Sequence, residues 1–260
     1  MRSLRRILML AACVGAWAQP AVAGRIVVAN DEWTLSQTGF ANTPAGSTQF
    51  ALNVGAFFTG GGGGSFLIVS DNFGLDTDAA LTLAATMTLA GHAWVDSEDV
   101  PGFTLDLPTL QNYDGVFFAL PPVVDQSVLT NYVNGGGNVF IEGGTGVGGS
   151  ASEAANWNTF LNAFGLNFAS SYNGIAGNVA ISSTHAVMAG VGSLYQNNGN
   201  TISLFGANPH AQIIASSSSG QGLYAVYDDV APVPEPASLI LLTTGAAGLL
   251  AGRRRRRRAR

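Results

Sequence analysis

Four carboxylates stand at or just beyond the ends of three short apolar runs, at positions Asp31, Glu32, Asp71 and Glu142. If the runs are strands of a parallel sheet, these positions share its carboxyl edge, where such folds bind ligands. Carboxylates grouped there can hold a cation or sugar hydroxyls, or serve as the acid and base of a hydrolase. Acidic residues at strand ends more commonly cap helices or face water, and we favour that interpretation.

A glycine-rich segment follows Glu142 and matches the pattern G-x-G-x-x-G at Gly144, Gly146 and Gly149. Backbone amides at the start of the next helix suit a phosphate or a carboxylate. The segment is not in the first strand–helix unit, and no acidic residue lies about 20 residues beyond it to bind a ribose. We therefore predict no cofactor, and no metal site is predicted because 76–78 lacks the glycine and distal glutamate of a calcium loop.

Thr145 and Ser150 are the hydroxyl groups in this segment that a hydrolase could use as a nucleophile. Neither lies in a Gly-x-Ser-x-Gly frame. His185 and His210 are candidate bases without an evident partner, so we expect structural roles for them. No residue is therefore assigned as catalytic, and the alternative is a hydrolase with a carboxylate pair or a site centred on Thr145.

Strand and helix patterns alternate along the chain. Apolar runs predict strands at 26–29, 66–69, 93–95, 115–120 and 138–142, and later ones at 178–181, 201–204, 212–215 and 222–227. Helical spacing of apolar residues predicts helices that end near Gly60, Gly91, Gly135 and Gly165; Pro121-Pro122 opens the third, and a Ser150-x-x-Glu153 capping box opens the fourth. The sequence therefore predicts an α/β fold whose mostly parallel sheet has helices on both faces and late antiparallel strands.

Several segments carry a likeness to a known superfamily, namely the helix end 129–137, the strand and turn 138–144, the helix 157–166 and the segment 185–191. Over residues 66–227 they resemble the class I glutamine amidotransferase-like, flavodoxin-type domains. The resemblance implies a nucleophilic cysteine in the turn after the strand, activated by a histidine. Because 143–150 contains no cysteine, we expect the fold without enzymatic activity.

The last 28 residues contain three features in order. Val233, Pro234, Glu235 and Pro236 precede an uncharged apolar run at 237–252, which six arginines follow, namely Arg253, Arg254, Arg255, Arg256, Arg257 and Arg258. At ~1.5 Å per residue the run forms a helix of roughly 24 Å, against a bilayer core of ~30 Å. We predict a short transmembrane helix that the arginines stop on the cytoplasmic side.

Together these three features resemble the PEP-CTERM signal of Gram-negative bacteria. The resemblance implies that exosortase, a membrane protease-transpeptidase, recognises the tail at Pro234–Pro236 and processes it. The arginines would hold the tail in place until then. The alternative is an ordinary C-terminal anchor that is not cleaved.

The amino terminus has the pattern of a secretory signal peptide over residues 1–23. A basic start precedes an apolar stretch at 7–18, and the A-x-A motif at Ala21 and Ala23 predicts a single cleavage just before Gly24. The Sec machinery and signal peptidase are the implied partners. The domains expected are therefore the signal peptide, an exported body at 24–230 and a sorting tail at 231–260.

The exported body is strongly acidic once both ends are set aside. The whole chain has a net charge of −5, but residues 24–232 hold fifteen carboxylates against one arginine and no lysine, a net charge of −14. This excludes nucleic acid as a partner. The lack of lysine also excludes a P-loop and Schiff-base chemistry. The single cysteine, Cys13, lies in the signal peptide, so no disulfide stabilises the body.

These observations favour an exported protein of the cell surface or extracellular matrix, such as a biofilm, with a binding or structural role. Trp33, next to the first two carboxylates, would stack on sugar rings if it were exposed, which makes an extracellular polysaccharide a possible partner. If it is buried it covers the sheet edge, and we expect this second arrangement.

Overall fold

The computed structural model describes residues 24–120 and 125–229. The predicted signal peptide, the Pro121-Pro122 helix start and the sorting tail with its membrane helix at 237–252 lie outside the described residues. Among the helices that are described, none is long and apolar enough to span a membrane.

Five parallel strands form one half of a nine-stranded sheet: β1 (Arg25–Ala29), β2 (Ser65–Val69), β3 (Ala93–Asp96), β4 (Gly115–Phe118) and β5 (Asn138–Glu142). Their order is β3-β2-β4-β5-β1. Strands β2, β4 and β5 are almost wholly buried because they are short apolar runs covered on both faces, as parallel sheets require.

Antiparallel strands complete the sheet beyond β1. They are β11 (Gly222–Asp228), which pairs with β1, then β9 (Asn200–Leu204), β6 (Leu166–Tyr172) and β10 (Ala211–Ser216). A separate hairpin contains β7 (Ala176–Ala180) and β8 (Ser193–Asn197). The predicted α/β fold with a large sheet and late antiparallel strands is therefore confirmed.

Helices lie on both faces of the sheet. The helices are α1 (Gln37–Asn42), α2 (Pro44–Thr59), α3 (Leu81–Leu89), α4 (Leu107–Leu110), α5 (Ser127–Asn134) and α6 (Ser150–Leu161). Phe50 of α2 and Met87 of α3 pack in one core with Phe66 and Ile68 of β2. Leu67, which points the other way, packs in a second core with residues of α4, α5 and α6. This division follows from right-handed crossovers in the two directions along the sheet.

The predicted strands and most helix ends agree with the structure, but three local features differ. Strands β6 and β8 and the short helices α1 and α4 were not predicted. The capping box at Ser150 is wrong: Gly149 precedes α6 without a side-chain cap, and the Ser150 hydroxyl donates to the carbonyl of Ser170 at 3.0 Å. The strand predicted at 115–120 is shorter and ends at Phe118.

Candidate functional site at the carboxyl edge

Adjacent parallel strands bring three of the predicted site residues together. The carboxyl end of β1 lies beside that of β5, with Ala29 paired to Glu142. Asp31 and Glu32 follow in the next turn, so their carboxyls face Glu142 across the strand ends, and Glu153 from α6 joins them. Asp31, Glu32, Glu142 and Glu153 are termed the acid cluster. All four are buried, and the charges of neighbouring members contribute to the raised pKa values of Asp31, Glu32 and Glu142.

Asp31 is fully buried and holds two neighbouring segments. Its carboxylate accepts hydrogen bonds from the amide of Trp33, at 2.9 Å, and from the amide of Asn197 at the end of β8. Burial raises the pKa of Asp31 to about 6, against these hydrogen bonds, and the charge of Glu153 adds to the rise.

Glu32 connects the turn after β1 to the turn after β2. Its carboxylate accepts a hydrogen bond of 2.6 Å from the side-chain amide of Asn72. Burial, followed by the charges of Asp31 and Glu153, raises the pKa of Glu32 to about 7. The group therefore titrates close to neutral pH.

Glu142 is the most enclosed member of the acid cluster. Its side chain is fully buried, and neither carboxyl oxygen has a hydrogen-bond partner among the described residues. Burial and the charges of Glu32 and Asp31 raise its pKa well above the usual range. Because an unpartnered carboxylate is costly in the interior, burial favours the protonated form of Glu142.

The turn after β2 closes tightly over these acids. A Cβ placed on Gly74 would lie 2.5 Å from the carbonyl oxygen of Glu32 and 2.8 Å from Oε2 of Glu142. No real side chain has so close a contact, so only glycine fits here without a shift of the turn.

Glu153 is the member that the sequence did not assign to the site. It accepts hydrogen bonds from the amides of Gly144 and Thr145, both at 3.1 Å, and from the Thr145 hydroxyl at 2.8 Å. Burial raises its pKa in spite of these donors. The glutamate therefore fixes the glycine-rich loop after β5, whereas a capping box would bind it to the start of its own helix.

Thr145 is held by this contact and has no histidine beside it. The three histidines lie at the other end of the sheet: His92 accepts from the Gly64 amide, His185 packs against Phe57, and His210 contacts Asp229. The hydroxyl of Thr145 donates to a carboxyl group whose proton affinity is raised, which is not the arrangement of an elbow nucleophile with an adjacent histidine.

Asp71 belongs to a different group from the one predicted. It is exposed and lies against Glu98, with Asp76 and Asp96 nearby, and these charges raise the pKa of Glu98, Asp71 being the largest cause. Asp71, Asp76, Asp96 and Glu98 are termed the outer acids. The favoured interpretation, that acids at strand ends cap helices or face water, holds for Asp71 and is wrong for Asp31, Glu32 and Glu142, which are buried.

Trp33 packs beside the acid cluster with two further rings. Its ring centroid lies 4.7 Å from that of Phe73 and 6.4 Å from that of Tyr195, with an interplanar angle of 63° in both pairs. Trp33 and Tyr195 are half-buried and Phe73 is 38% exposed. These three residues are termed the aromatic corner. The predicted burial of Trp33 is thus only partial.

Neither acidic group has the geometry of a metal centre. Within 24–120 and 125–229, no three Asp, Glu, His or Cys side chains are placed to hold one ion together. The carboxyl edge combines buried, proton-binding acids with exposed acids and aromatic rings.

Comparison with known proteins identifies one segment. Residues 232–257 match the family of the PEP-CTERM protein-sorting motif. The motif implies an exported protein that exosortase, a membrane enzyme, processes and sorts to the surface. No curated protein and no solved structure matches the chain significantly.

Proposed function

We propose that the protein is an exosortase-processed surface protein whose body is a non-catalytic binding domain of the envelope or extracellular matrix. The observation that carries the proposal is the sorting motif at 232–257, which brings the body outside the cell. The signal peptide at 1–23 would begin export, and a glutamine amidotransferase-like fold is proposed for the body because its parallel strands and crossovers suit that class.

Two features of the site support a role without catalysis. The turn after β5 has no cysteine, and the Thr145 hydroxyl in this turn donates a hydrogen bond to Glu153. No described histidine approaches this turn. A ligand would instead meet the exposed groups of the carboxyl edge, which include Asp71 and Phe73.

Intact-mass measurement of the protein from its host tests the sorting step. We expect the mature chain to start at Gly24 and to lack the arginines 253–258 in cells that have exosortase. In cells without the enzyme the arginine tail stays attached. An intact tail in both strains would contradict the proposal and favour the ordinary anchor.

A matched pair of variants separates recognition from anchoring. Replacing Pro234, Glu235 and Pro236 by alanine removes the motif but leaves the apolar run and the arginines, so we expect an exported, unprocessed protein. Replacing Asp229 and Val230, which precede the matched segment, by alanine should leave processing unchanged. Protease treatment of intact spheroplasts should digest the body in both variants, and a protected body would refute export.

One observation favours a second function, a surface hydrolase with a carboxylate pair. Burial raises the pKa of Glu32 to about 7 and that of the neighbouring Glu142 well above its usual range, and strongly perturbed carboxyl groups are typical of catalytic acids and bases. The test is hydrolysis of glycoside and peptide panels by the wild type and Glu32→Gln. Turnover lost in the variant would establish the hydrolase, and no turnover is expected under our main proposal.

A further inference from the structure

The turn after β2, at residues 70–75, is closed by its own hydrogen bonds. The Asn72 amide donates to the Ser70 hydroxyl at 3.0 Å, and the Gly74 amide donates to the side-chain oxygen of Asn72 at 2.9 Å. The Leu75 amide donates to the Asn72 carbonyl, also at 3.0 Å. Because these bonds lie within the turn, displacing it from the surface does not break them.

The polar contacts between this turn and its surroundings end at carboxyl groups. Among the described residues, its side chains make one hydrogen bond outside the turn, from the amide of Asn72 to Glu32 at 2.6 Å, and one carboxyl contact, between Asp71 and Glu98. The charge of both carboxyl partners depends on the pH. The attachment of the turn therefore depends on the pH as well.

The turn separates two members of the acid cluster from water. Gly74 packs so closely on them that a Cβ there would lie 2.5 Å from the carbonyl oxygen of Glu32 and 2.8 Å from Oε2 of Glu142. Glu32 is 5% exposed, and Glu142 is fully buried without a hydrogen-bond partner among the described residues. Displacement of the turn would let water reach both carboxyl groups and lower the cost of ionising them.

The groups that face the two covered acids are acidic or uncharged. Asp31 faces them from the turn after β1 and Glu153 from α6, and the outer acids lie beside the turn at 70–75. Burial raises the pKa of Tyr172 on β6 and of Tyr224 on β11, so both phenols stay protonated. The described cations, Arg25 and the three histidines, lie at the opposite edge of the sheet. Ionisation at this edge is therefore not balanced by a described basic side chain.

We infer that the turn at 70–75 is a pH-operated lid, which covers the acid cluster while its acids are protonated and is displaced when they ionise. The inference concerns the conformation of the body and goes beyond the proposed binding role. It does not depend on tail processing. The lid would expose the carboxyl edge of the sheet in neutral or alkaline surroundings and close it in acidic ones.

The direction of the change follows from linkage between ionisation and opening. Burial raises the pKa of Glu32 to about 7 in the closed state, against an ordinary value of 4.5, so charging Glu32 favours the state that hydrates it. The hydrogen bond from Asn72 opposes displacement, but burial is the larger effect, since the pKa stays raised. The closed state is therefore favoured below pH 4.5, and this preference is lost as the pH rises to about 7. Glu142, whose pKa burial raises well above its usual range, extends the change to higher pH.

Fluorine NMR of the full-length protein in detergent, labelled with fluorotryptophan, tests the inference. Trp33 reports on the lid because its ring centroid lies 4.7 Å from that of Phe73, and Trp33→Phe assigns its resonance. The shift difference between H2O and D2O measures the solvent exposure of the fluorine. From pH 5 to pH 8 we expect this exposure to rise, since the ratio of open to closed lid increases about 10-fold per pH unit between 4.5 and about 7, up to about 300-fold for Glu32 alone. The resonance of Trp157, which is fully buried in the second core, should stay unchanged.

Three variants connect the transition to the lid. Glu32→Gln keeps an acceptor oxygen for Asn72 but cannot ionise, so we expect the change in the open-to-closed ratio to be at least about 10-fold smaller. Gly74→Ala places a Cβ against the carbonyl of Glu32 and should give the open-state exposure of Trp33 at both pH values. Asp229→Asn, at the amino edge, is the control and should leave the transition as in the wild type.

Three results would overturn the inference. The first is an equal exposure of Trp33 at pH 5 and pH 8 in the wild type. The second is a change of Trp157 together with Trp33, because the whole body would then respond instead of the lid. The third is a Trp33 transition retained in full by both Glu32→Gln and Glu142→Gln, which would come from Asp31, the acceptor of the Trp33 amide. Each leaves the sorting result and the binding proposal intact.

Discussion

The two edges of the parallel sheet differ in how their charged side chains are stabilised. At the amino edge, Arg25 pairs with Asp228 and lies over the ring of Phe57, its guanidinium carbon 4.5 Å from the ring centroid. At the carboxyl edge, the acid cluster is buried without a described cation. The arginine of the amino edge is paired with a carboxylate. At the carboxyl edge, raised pKa values favour the uncharged form of the buried acids.

This difference shows how an almost cation-free chain folds. With one arginine and no lysine in residues 24–232, the body cannot pair its buried acids with basic side chains. Backbone and side-chain amides donate hydrogen bonds to Asp31, Glu32 and Glu153, and burial favours the uncharged form of Glu142. The acid cluster joins the turns after β1, β2 and β5 in this way.

The largest expected effect is a loss of stability as the pH rises. The folded-state pKa values of Asp31 and Glu32 are about 6 and about 7, above their ordinary values of 3.8 and 4.5. Each raised pKa stabilises the native state below the ordinary value, and this contribution is lost as the pH passes the folded value. Between pH 4.5 and 7.5 we expect the free energy of unfolding to fall by on the order of 2–3 kcal/mol per group. Urea unfolding at several pH values measures this, and stability that rises with pH would contradict it.

Glu153→Ala should have the next largest effect. It leaves the amides of Gly144 and Thr145 and the Thr145 hydroxyl without their acceptor, so we expect a loss of about 2–4 kcal/mol. Glu153→Gln, which keeps one acceptor oxygen, should lose less. Asn156→Ala on the exposed side of the same helix is the control and should stay within about 0.5 kcal/mol of the wild type. If both alanine variants unfold at the same urea concentration, Glu153 does not hold the loop.

Glu142→Gln should stabilise the protein, but only at neutral and higher pH. The buried carboxyl keeps its proton in the native state while the unfolded chain releases it, so the native state is penalised as the pH rises. Glutamine removes this penalty, for which we expect a gain of about 1–3 kcal/mol at pH 7.5 and little change at pH 4. Thermal unfolding at both pH values measures the difference. A variant less stable at both would point to a necessary ionised glutamate.

Arg25→Gln should have the smallest effect, at the amino edge. The ion pair with Asp228 is partly exposed, with side-chain exposures of 24% and 31%, so the pair contributes at most about 1 kcal/mol. High salt should reduce the effect further. A double-mutant cycle with Asp228→Asn measures the coupling energy. A coupling larger than the Glu153→Ala loss would reverse the comparison between the edges.

The parallel half of the sheet could be predicted because its strands are continuous apolar runs. Asn138–Glu142 was predicted to the residue, since a strand buried on both faces needs no alternation. Strand β6 could not be predicted in this way, because Leu166–Tyr172 is rich in Asn and Ser and is specified by pairing with β9 across a long stretch of chain.

Only the site residues that lie at strand ends could be predicted from the sequence. Asp31, Glu32 and Glu142 follow from their positions after strands, but their burial depends on the turn at Gly74 and on the amide of Asn197, which are distant in sequence. Glu153 was misread because S-x-x-E is a local pattern, whereas its partners lie eight and nine residues earlier in a loop. The aromatic corner combines three separate turns, and no spacing in the sequence indicates it.

The antiparallel pairing of β1 with β11 has a consequence for tethering. Because Arg25 is paired with Asp228, the first and last residues of the described body, Gly24 and Asp229, leave the sheet at the same end. A covalent attachment at either terminus therefore acts on the end with the arginine and the histidines. The aromatic rings and acids lie at the opposite edge of the sheet, away from both termini of the body.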